Sequence, residues 1–405
     1  MRKDDCVKIS FIGDLMCEKP FLKASKAGKK YDFSGFLAPC RDLFRESSLV
    51  IGNLETPCDP GKAFTKDLFV FNAPPEFVRS IGEAGVGFLT TATNHCLDKG
   101  LDGLRQTIRT LDSLGIAHTG TFENPDDKRY AVSVLPDGTR VAVLSYTYGT
   151  NYMDNRVRIP DESFFAVNHL TPLYSGRNKV YESMNQSLRA RLTRLIPRDL
   201  RIYMNAKFGR TVDASFVDAV QEGDVVKEKT EEIAKAISEA RKEADLVVVC
   251  PHMGGQFRRE HGTYVEAFME LFAGCGADLV VGNHPHVVQE IKEFPGGMKA
   301  AYCLGNVSMS LHTPYIRREN LPEYSIMLHA YLSGHAIASL TFSILLETES
   351  ADGKITVHPA ADLYRSSGEE ERARIAENLR TVYNTFLGCE RPEVPVEKEY
   401  EISFQ

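Results

Sequence analysis

Five apolar runs in this chain end in residues able to bind a metal ion or move a proton. Asp14 closes FIGD, Asn53 and Glu55 close the run at NLE, and Asn94 and His95 end TATNH. His252 follows VVVCP, and His284 and His286 lie in GNHPH. Carboxylate oxygens, an amide oxygen and imidazole nitrogens make a mixed donor set that suits Zn, Mn or Fe, and two such ions can share a bridging carboxylate. Taken singly the pieces are weak. An Asp after a strand commonly forms a turn or a helix cap. A lone His beside an apolar strand is commonly a satisfied structural residue, and that is the reading of His118, His169, His261, His312, His329, His335 and His358. GNHPH differs, because Pro285 rigidly spaces two imidazoles directly after a strand. Turn formation does not explain the joint order GD, NxE, NH, H, HxH from Asp14 to His286.

Such residues act together only if strands deliver them to one place. In open α/β sheets ligands bind outside the carboxyl ends of the strands. VKISFIG from Val7, SLVIGN from Ser48, GFLTTATNH, DLVVVCPH and ADLVVGN read as strands. Helical patterns lie between them. Pro74-Pro75 opens one, with Gly85 suited to its C-terminal cap. GLDGLRQTIRTLDSLG carries Leu104, Ile108 and Leu111 at helical spacing, and VVKEKTEEIAKAISEARKEA and TYVEAFMELFAGCG continue the alternation. This rhythm predicts a layered α/β fold with a largely buried sheet. Asp137-Gly138 predicts a hairpin turn, EFPGGMKAAYCLGN reads as another hairpin, and turns are expected at Ser333-Gly334 and Asp352-Gly353. The tail carries one helix, GEEERARIAENLRTVYNTFLG, and a Pro- and Glu-rich end expected to be extended or frayed.

A polar, irregular region from about Met153 to Gly223 interrupts the rhythm. Between Ser187 and Arg210 it carries Arg189, Arg191, Arg194, Arg198, Arg201, Lys207 and Arg210 against the single acid Asp199. It reads either as a solvated helical surface or as a cationic lid or channel wall facing an anionic substrate. Because ligands from Asp14 to His286 must meet in one pocket, residues 1–360 are expected to form one domain. The stretch 153–223 is then an insertion in it, and 361–405 a C-terminal helix with an extended tail.

Composition bounds the function. Of the 405 residues 43% are hydrophobic and 25% charged, which excludes disordered, collagenous and coiled-coil classes. A net charge of −7 argues against coating nucleic acid. Nine scattered cysteines without a CxxC pair read as reduced, buried thiols. With no signal-peptide pattern and no apolar run long enough for a membrane anchor, a cytoplasmic setting is expected.

As a set, FIGDLM, GNLETP, TATNHCLDKG, SYTYGTN, HMGGQ, GADLVVGNHPHVVQ and CLGNVS resemble the CapA-type family of poly-γ-glutamate capsule-biosynthesis proteins, related to the calcineurin-like metallophosphoesterases. The resemblance runs from about Val7 to Ser310, apart from the basic insertion. It implies a four-layer α/β/β/α sandwich, here with a helical basic insertion and a C-terminal helical tail. It also implies one or two divalent metal ions. Asp14 and His286 would hold one, Asn94, His252 and His284 the other, and Glu55 would bridge them. His95 would protonate a leaving group, oriented by Asp98 of the NHxxDxG pattern. The implied activity is metal-dependent hydrolysis of a phosphoester or of a γ-glutamyl or other acyl bond, on an anionic polymer or a phosphorylated small molecule in capsule or cell-envelope metabolism. The alternative is a non-catalytic polymer-binding or assembly component beside polyglutamate synthase proteins. The sequence departs from the metallophosphoesterase pattern at Met16, where an Asp-x-His motif has its His, at Glu55, which stands for an Asp, and at Gln256, which stands for the acid of HxGxE.

Overall fold

The computed structural model describes residues 6–66, 68–174, 218–314 and 316–404, with positions 196, 200 and 204. All seven basic residues of the insertion between Ser187 and Arg210 lie outside the described residues, so its expected helical character does too.

The described chain is mixed α/β, built on two sheets. The first runs β16-β15-β14-β1-β4-β5-β6, with β13 added on β1 and β17 on β15. Its parallel part comprises β1 (Val7–Leu15), β4 (Leu49–Leu54), β5 (Phe88–Thr90) and β6 (Ala117–Thr119). β13 (Asn306–Ser308) also runs parallel to β1. β14 (Tyr324–Ser333), β15 (Ala336–Glu349), β16 (Ile355–Pro359) and β17 (Tyr400–Glu401) are antiparallel. The second sheet runs β11-β12-β10-β9-β8-β7. It consists of β7 (Ala131–Val134), β8 (Arg140–Thr147), β9 (Leu246–His252), β10 (Leu279–Val281), β11 (Ile291–Glu293) and β12 (Lys299–Ala301). β2 (Lys26–Ala27) and β3 (Lys30–Tyr31) form a short separate ribbon.

The period-2 alternation of a strand sends neighbouring side chains to opposite faces, and here both faces are apolar. In β8 and β9, Val141, Val143, Leu246 and Val248 join a cluster that also contains Ile9, Phe11, Ile51, Phe88, Ile326 and Phe342 of the first sheet. The two sheets therefore share one core. The intervening residues Ala142, Leu144, Val247 and Val249 face another cluster with Ile233 and Ile237 of the helix Lys227–Glu243, and Phe268 and Phe272 of the helix Thr263–Gly274. On the first sheet Val50, Leu54 and Leu89 pack with Phe77, Val78 and Ile81 of the helix Pro75–Ala84. Gly85 closes that helix in the left-handed conformation.

One expected strand is shorter than its sequence. GFLTTATNH is extended only over Phe88–Thr90, because its neighbour β6 offers three residues for pairing. Beyond it, turn hydrogen bonds from Cys96 N to Thr93 O and from Asp98 N to His95 O fold Asn94 and His95 back over the strand ends. The tail is not frayed. The helix Glu369–Leu387 buries Ile375, Leu379, Val382 and Phe386 in the core shared by the sheets, and β17 closes against β15.

A β-bulge in β1 sets the aim of Asp14. Ile9 and Phe11 point into the shared core, yet Ile12 and Leu15 both join the opposite cluster, a spacing of three that regular alternation forbids. The pairing with β4 shifts register between Phe11 and Asp14, and such bulges re-aim side chains at sites. Asp14 thereby turns to the second sheet, level with Asn53 of β4 and Asn306 of β13. The close approach of β1 to β13 needs Gly13, since a Cβ there would stand 1.9 Å from Gly305 O. Gly13→Ala is expected to lower stability by about 1–3 kcal/mol through overpacking. Gly35→Ala, where the nearest atom is 4.0 Å away, should stay within about 0.5 kcal/mol of the parent. Urea denaturation of the two variants beside the parent chain measures both.

Candidate metal centre

Strand ends of both sheets meet at one buried spot. β1 supplies Asp14, the residue after β4 supplies Glu55, and the turn after β5 supplies Asn94, His95 and Asp98. β9 ends in His252, and the turn after β10 carries His284 and His286. None of these eight residues is more than 4% exposed.

Two donor triads share Glu55. In one, Glu55, His252 and His284 bring ligand atoms within 4.8 Å of one another, and in the other Asp14, Glu55 and His286 do. Around His252 Nε2 stand Asn94 Oδ1 at 2.9 Å, His284 Nδ1 at 3.1 Å and Glu55 Oε1 at 3.3 Å. On the other side His286 Nδ1 lies 3.3 Å from Asp14 Oδ2, and His286 Nε2 lies 3.8 Å from Glu55 Oε1. These nitrogen and oxygen atoms all face common space. Both Glu55 oxygens are buried without a hydrogen-bond partner. A buried carboxylate in that condition is costly unless paired or bound to a metal, so the donor set fits a divalent ion at each triad.

Supporting residues fix the donors in place. Asn53 Nδ2 donates to Asp14 Oδ1 at 2.7 Å and lies 3.1 Å from His252 Nδ1, while Thr90 Oγ1 donates to Asn53 Oδ1 at 2.7 Å. Asn306 Oδ1 is 2.9 Å from His286 Nδ1, and Asn306 Nδ2 donates to His286 O at 2.9 Å. His284 N donates to Asp14 Oδ2 at 3.1 Å. Both imidazoles of GNHPH sit on left-handed backbone, φ 98° at His284 and 61° at His286. Strain of that kind costs about 1–3 kcal/mol per residue and collects at functional sites.

His95 stands at the rim of the donor set, its Nε2 4.0 Å from Glu55 Oε1. Its Nδ1 is 2.8 Å from Asp98 Oδ2, which also accepts from Phe71 N at 2.7 Å, and the Phe71 ring lies over the imidazole at 4.2 Å. Burial opposes a charge on His95, but the Asp98 carboxylate outweighs it and raises the imidazole above its ordinary value. Burial likewise works against His286, yet Glu55 and Asp14 push it up to about 9. Burial would raise Asp14, but the hydrogen bond to His286 and the imidazole charges hold it below the usual carboxylate range.

The departures noted in the sequence have structural counterparts. Met16 packs with Phe71, Phe257, Val287 and Met309 in an apolar cluster beside the centre, so that position carries no donor. Gln256 Nε2 lies 3.5 Å from His286 Nε2, so an amide stands beside that imidazole. Asn53 stands in the sequence only as a strand-end amide, and Asn306, Asn151 and Asn155 carry no expectation there. Three of the four stand in the quoted motifs GNLETP, CLGNVS and SYTYGTN, but only cross-strand register reveals what they touch.

The sequence profile of the bacterial capsule synthesis protein family PGA_cap matches residues 8–310. The chain is similar to the capsule biosynthesis protein CapA of Bacillus anthracis, 26% identical over 310 residues that cover 75% of this chain and 60% of the relative. It is also similar to the PGA biosynthesis protein CapA of Bacillus subtilis strain 168, 23% identical over 307 residues covering 75% and 63%. The match thus spans about three fifths of the length of these relatives.

Two outcomes follow from the donor geometry. At a hundred times its dissociation constant a divalent ion should stabilise the chain by about 2.7 kcal/mol, and Glu55→Gln, which removes the shared ligand, should lose most of that gain in calorimetric melts with Mn2+ or Zn2+. The pH dependence has a definite sign. With His286 raised to about 9, the metal-free chain carries a proton there at neutral pH, and an ion must displace it. Affinity should therefore tighten as pH rises toward about 9, by up to about tenfold per unit, with proton release seen by titration calorimetry in buffers of different ionisation enthalpy.

Proposed function

The chain belongs to the bacterial capsule synthesis protein family, and from that premise we propose that it is a metal-dependent hydrolase of phosphoester or γ-glutamyl and other acyl bonds in capsule or cell-envelope polymer biosynthesis. The observation that carries the reading is the Glu55 carboxylate, buried, without a hydrogen-bond partner, and common to both donor triads. The fold behind it is the four-layer α/β/β/α sandwich of the metallophosphoesterases. The core shared by the sheets and the helix-packed clusters on their other faces support that arrangement. Residues 1–360, with the insertion at about 153–223, are the domain that builds the site, and 361–405 buttresses it.

In this reading Asp14, Glu55 and His286 hold one divalent ion, Mn, Zn or Fe, and Glu55, Asn94, His252 and His284 hold a second. A bound ion supplies Lewis acidity and a water nucleophile whose pKa is lowered toward about 7. The protein's own groups do the rest. Asn53 and Asn306 keep Asp14, His252 and His286 turned inward. Asp98 fixes His95 through Nδ1, so Nε2 faces the reacting group and gives its proton to the leaving oxygen or nitrogen. The Asp98 carboxylate raises His95 above its ordinary value, which favours the protonated form that donates. Phe71 covers the imidazole and keeps water from it.

The substrate in this proposal is an anionic polymer or a phosphorylated small molecule, handled beside polyglutamate synthase components. Cys17, Cys40, Cys58, Cys96, Cys250, Cys275, Cys303 and Cys389 are free thiols, which supports a reducing, cytoplasmic setting. Among the described residues no helix is long and apolar enough to cross a membrane. A second reading, a polymer-binding or assembly component without catalysis, is favoured by one observation, the burial of Met16 in an apolar cluster where metallophosphoesterases place a ligand.

Turnover decides between them. With Mn2+ or Zn2+ present, aryl phosphodiesters and γ-glutamyl peptides should be hydrolysed. His95→Ala should lower kcat by about 10²–10⁴-fold on substrates with poor leaving groups. His284→Ala should abolish the metal dependence. No bound metal, together with equal behaviour of the parent and His284→Ala, would sink the hydrolase reading.

A further inference from the structure

The turn that follows β8 carries two amides, four residues apart, and each reaches one member of the His95–Asp98 pair. Asn151 Nδ2 stands 3.4 Å from His95 Nε2. Asn155 Nδ2 donates to Asp98 Oδ1 at 3.1 Å. The backbone is built to hold them there. Asn151 lies on left-handed backbone at φ 48°, and its carbonyl accepts from Asp154 N at 2.8 Å and from Asn155 N at 3.0 Å. Arg156, at φ 60°, ends the turn. The Asn155 amide also donates to Thr150 O at 2.8 Å, and its Oδ1 accepts from Val157 N at 2.8 Å, so that side chain cannot rotate away from Asp98 without breaking the turn. The same loop places the Tyr148 ring 4.8 Å from the His284 imidazole.

We infer that Asn155 is a positioning residue for Asp98, and that Asn151 marks the place of the leaving-group oxygen and sets the substrate's orientation on His95. This deepens the hydrolytic reading and rests on it.

The chemistry follows from the contacts. Asp98 has one oxygen taken by His95 Nδ1 and Phe71 N and the other by Asn155. Its carboxylate plane, and with it the imidazole plane, is thereby fixed from both sides. A leaving oxygen must come within hydrogen-bond reach of His95 Nε2 to take its proton as the bond to phosphorus or carbonyl carbon breaks. The entering water supplies the oxygen that replaces it. The half-buried Asn151 amide stands beside that nitrogen, where it donates a hydrogen bond to the same leaving oxygen. Losing either amide costs most when the leaving group needs the proton and little when it departs unaided.

Two measurements on the full chain test this. In chain labelled with 15N-histidine and without added metal, exchange of the His95 Nδ1 proton with water reports how firmly Asp98 is held. Asn155→Ala should speed that exchange at least tenfold, whereas Asn151→Ala should leave Nδ1 protected and move the Nε2 resonance. With Mn2+, aryl methyl phosphodiesters graded from 4-nitrophenyl to phenyl should show both variants losing at least tenfold more on phenyl than on 4-nitrophenyl. If Asn155→Ala does not fold, Asn155→Ser and Asn151→Ala carry the same readouts. Unchanged His95 resonances, or equal losses along the series, overturn the assignment. Should the parent chain hydrolyse none of the series while the resonances shift as stated, the hydrolytic reading fails and the positioning of the pair stands.

Discussion

Two sheets that share an apolar core still have to be joined where their polar strand ends come together. In this protein Asp14 makes that joint. It lies on the first sheet, accepts hydrogen bonds from Asn53 beside it and from the backbone of His284 beyond the second sheet, and faces the imidazoles of His252 and His286. A carboxylate with no solvent contact is tolerable only when its lone pairs are used. Those of Asp14 are used by partners from both sheets, which locks the sheets in register at their carboxyl ends. The bulge in β1, the close contact of Gly13 with Gly305, and the strained backbone of GNHPH all serve that convergence.

Glu55 is the complement of Asp14. It enters the same space from the end of β4, among the imidazoles of His252 and His286, and neither of its oxygens has a hydrogen-bond partner among the described residues. Asp14 divides its lone pairs between structure and one triad, whereas Glu55 is left to the two triads. That division explains why the two triads intersect at Glu55. It also explains why an apolar Met16 is tolerable. Its side chain is sealed in an apolar cluster by Phe71, Phe257 and Met309.

Much of this was legible in the sequence, because the residues able to do chemistry sit where apolar runs stop, and strand ends are where α/β sheets place ligands. Asp14, Glu55, His252 and the two imidazoles of GNHPH are readable in that way. Asn53 and Asn306 are not, since their roles depend on which strand lies beside which, and β13 meets β1 across a sequence separation of 292 between Met16 and Ser308. The bulge in β1 is equally silent, because FIGDLM keeps an apolar pattern whichever face each residue takes. The helix of the tail could be read from its periodicity, but its burial against both sheets could not, for an amphipathic stripe does not name its partner. GFLTTATNH looked like a long strand because threonine favours sheets. The short β6 beside it ends the pairing early, and the last five residues lead into the turn that carries Asn94 and His95.

The account stands or falls on what occupies the space around Glu55. Crystals grown with Mn2+, measured at a wavelength where manganese scatters anomalously, answer that directly. The account predicts an anomalous peak in contact with the Glu55 carboxylate and at least one of its flanking triads, and the loss of that peak in Glu55→Gln. A fully occupied crystal with no peak there, and with Glu55 hydrogen-bonded only to water or to protein groups, would contradict it.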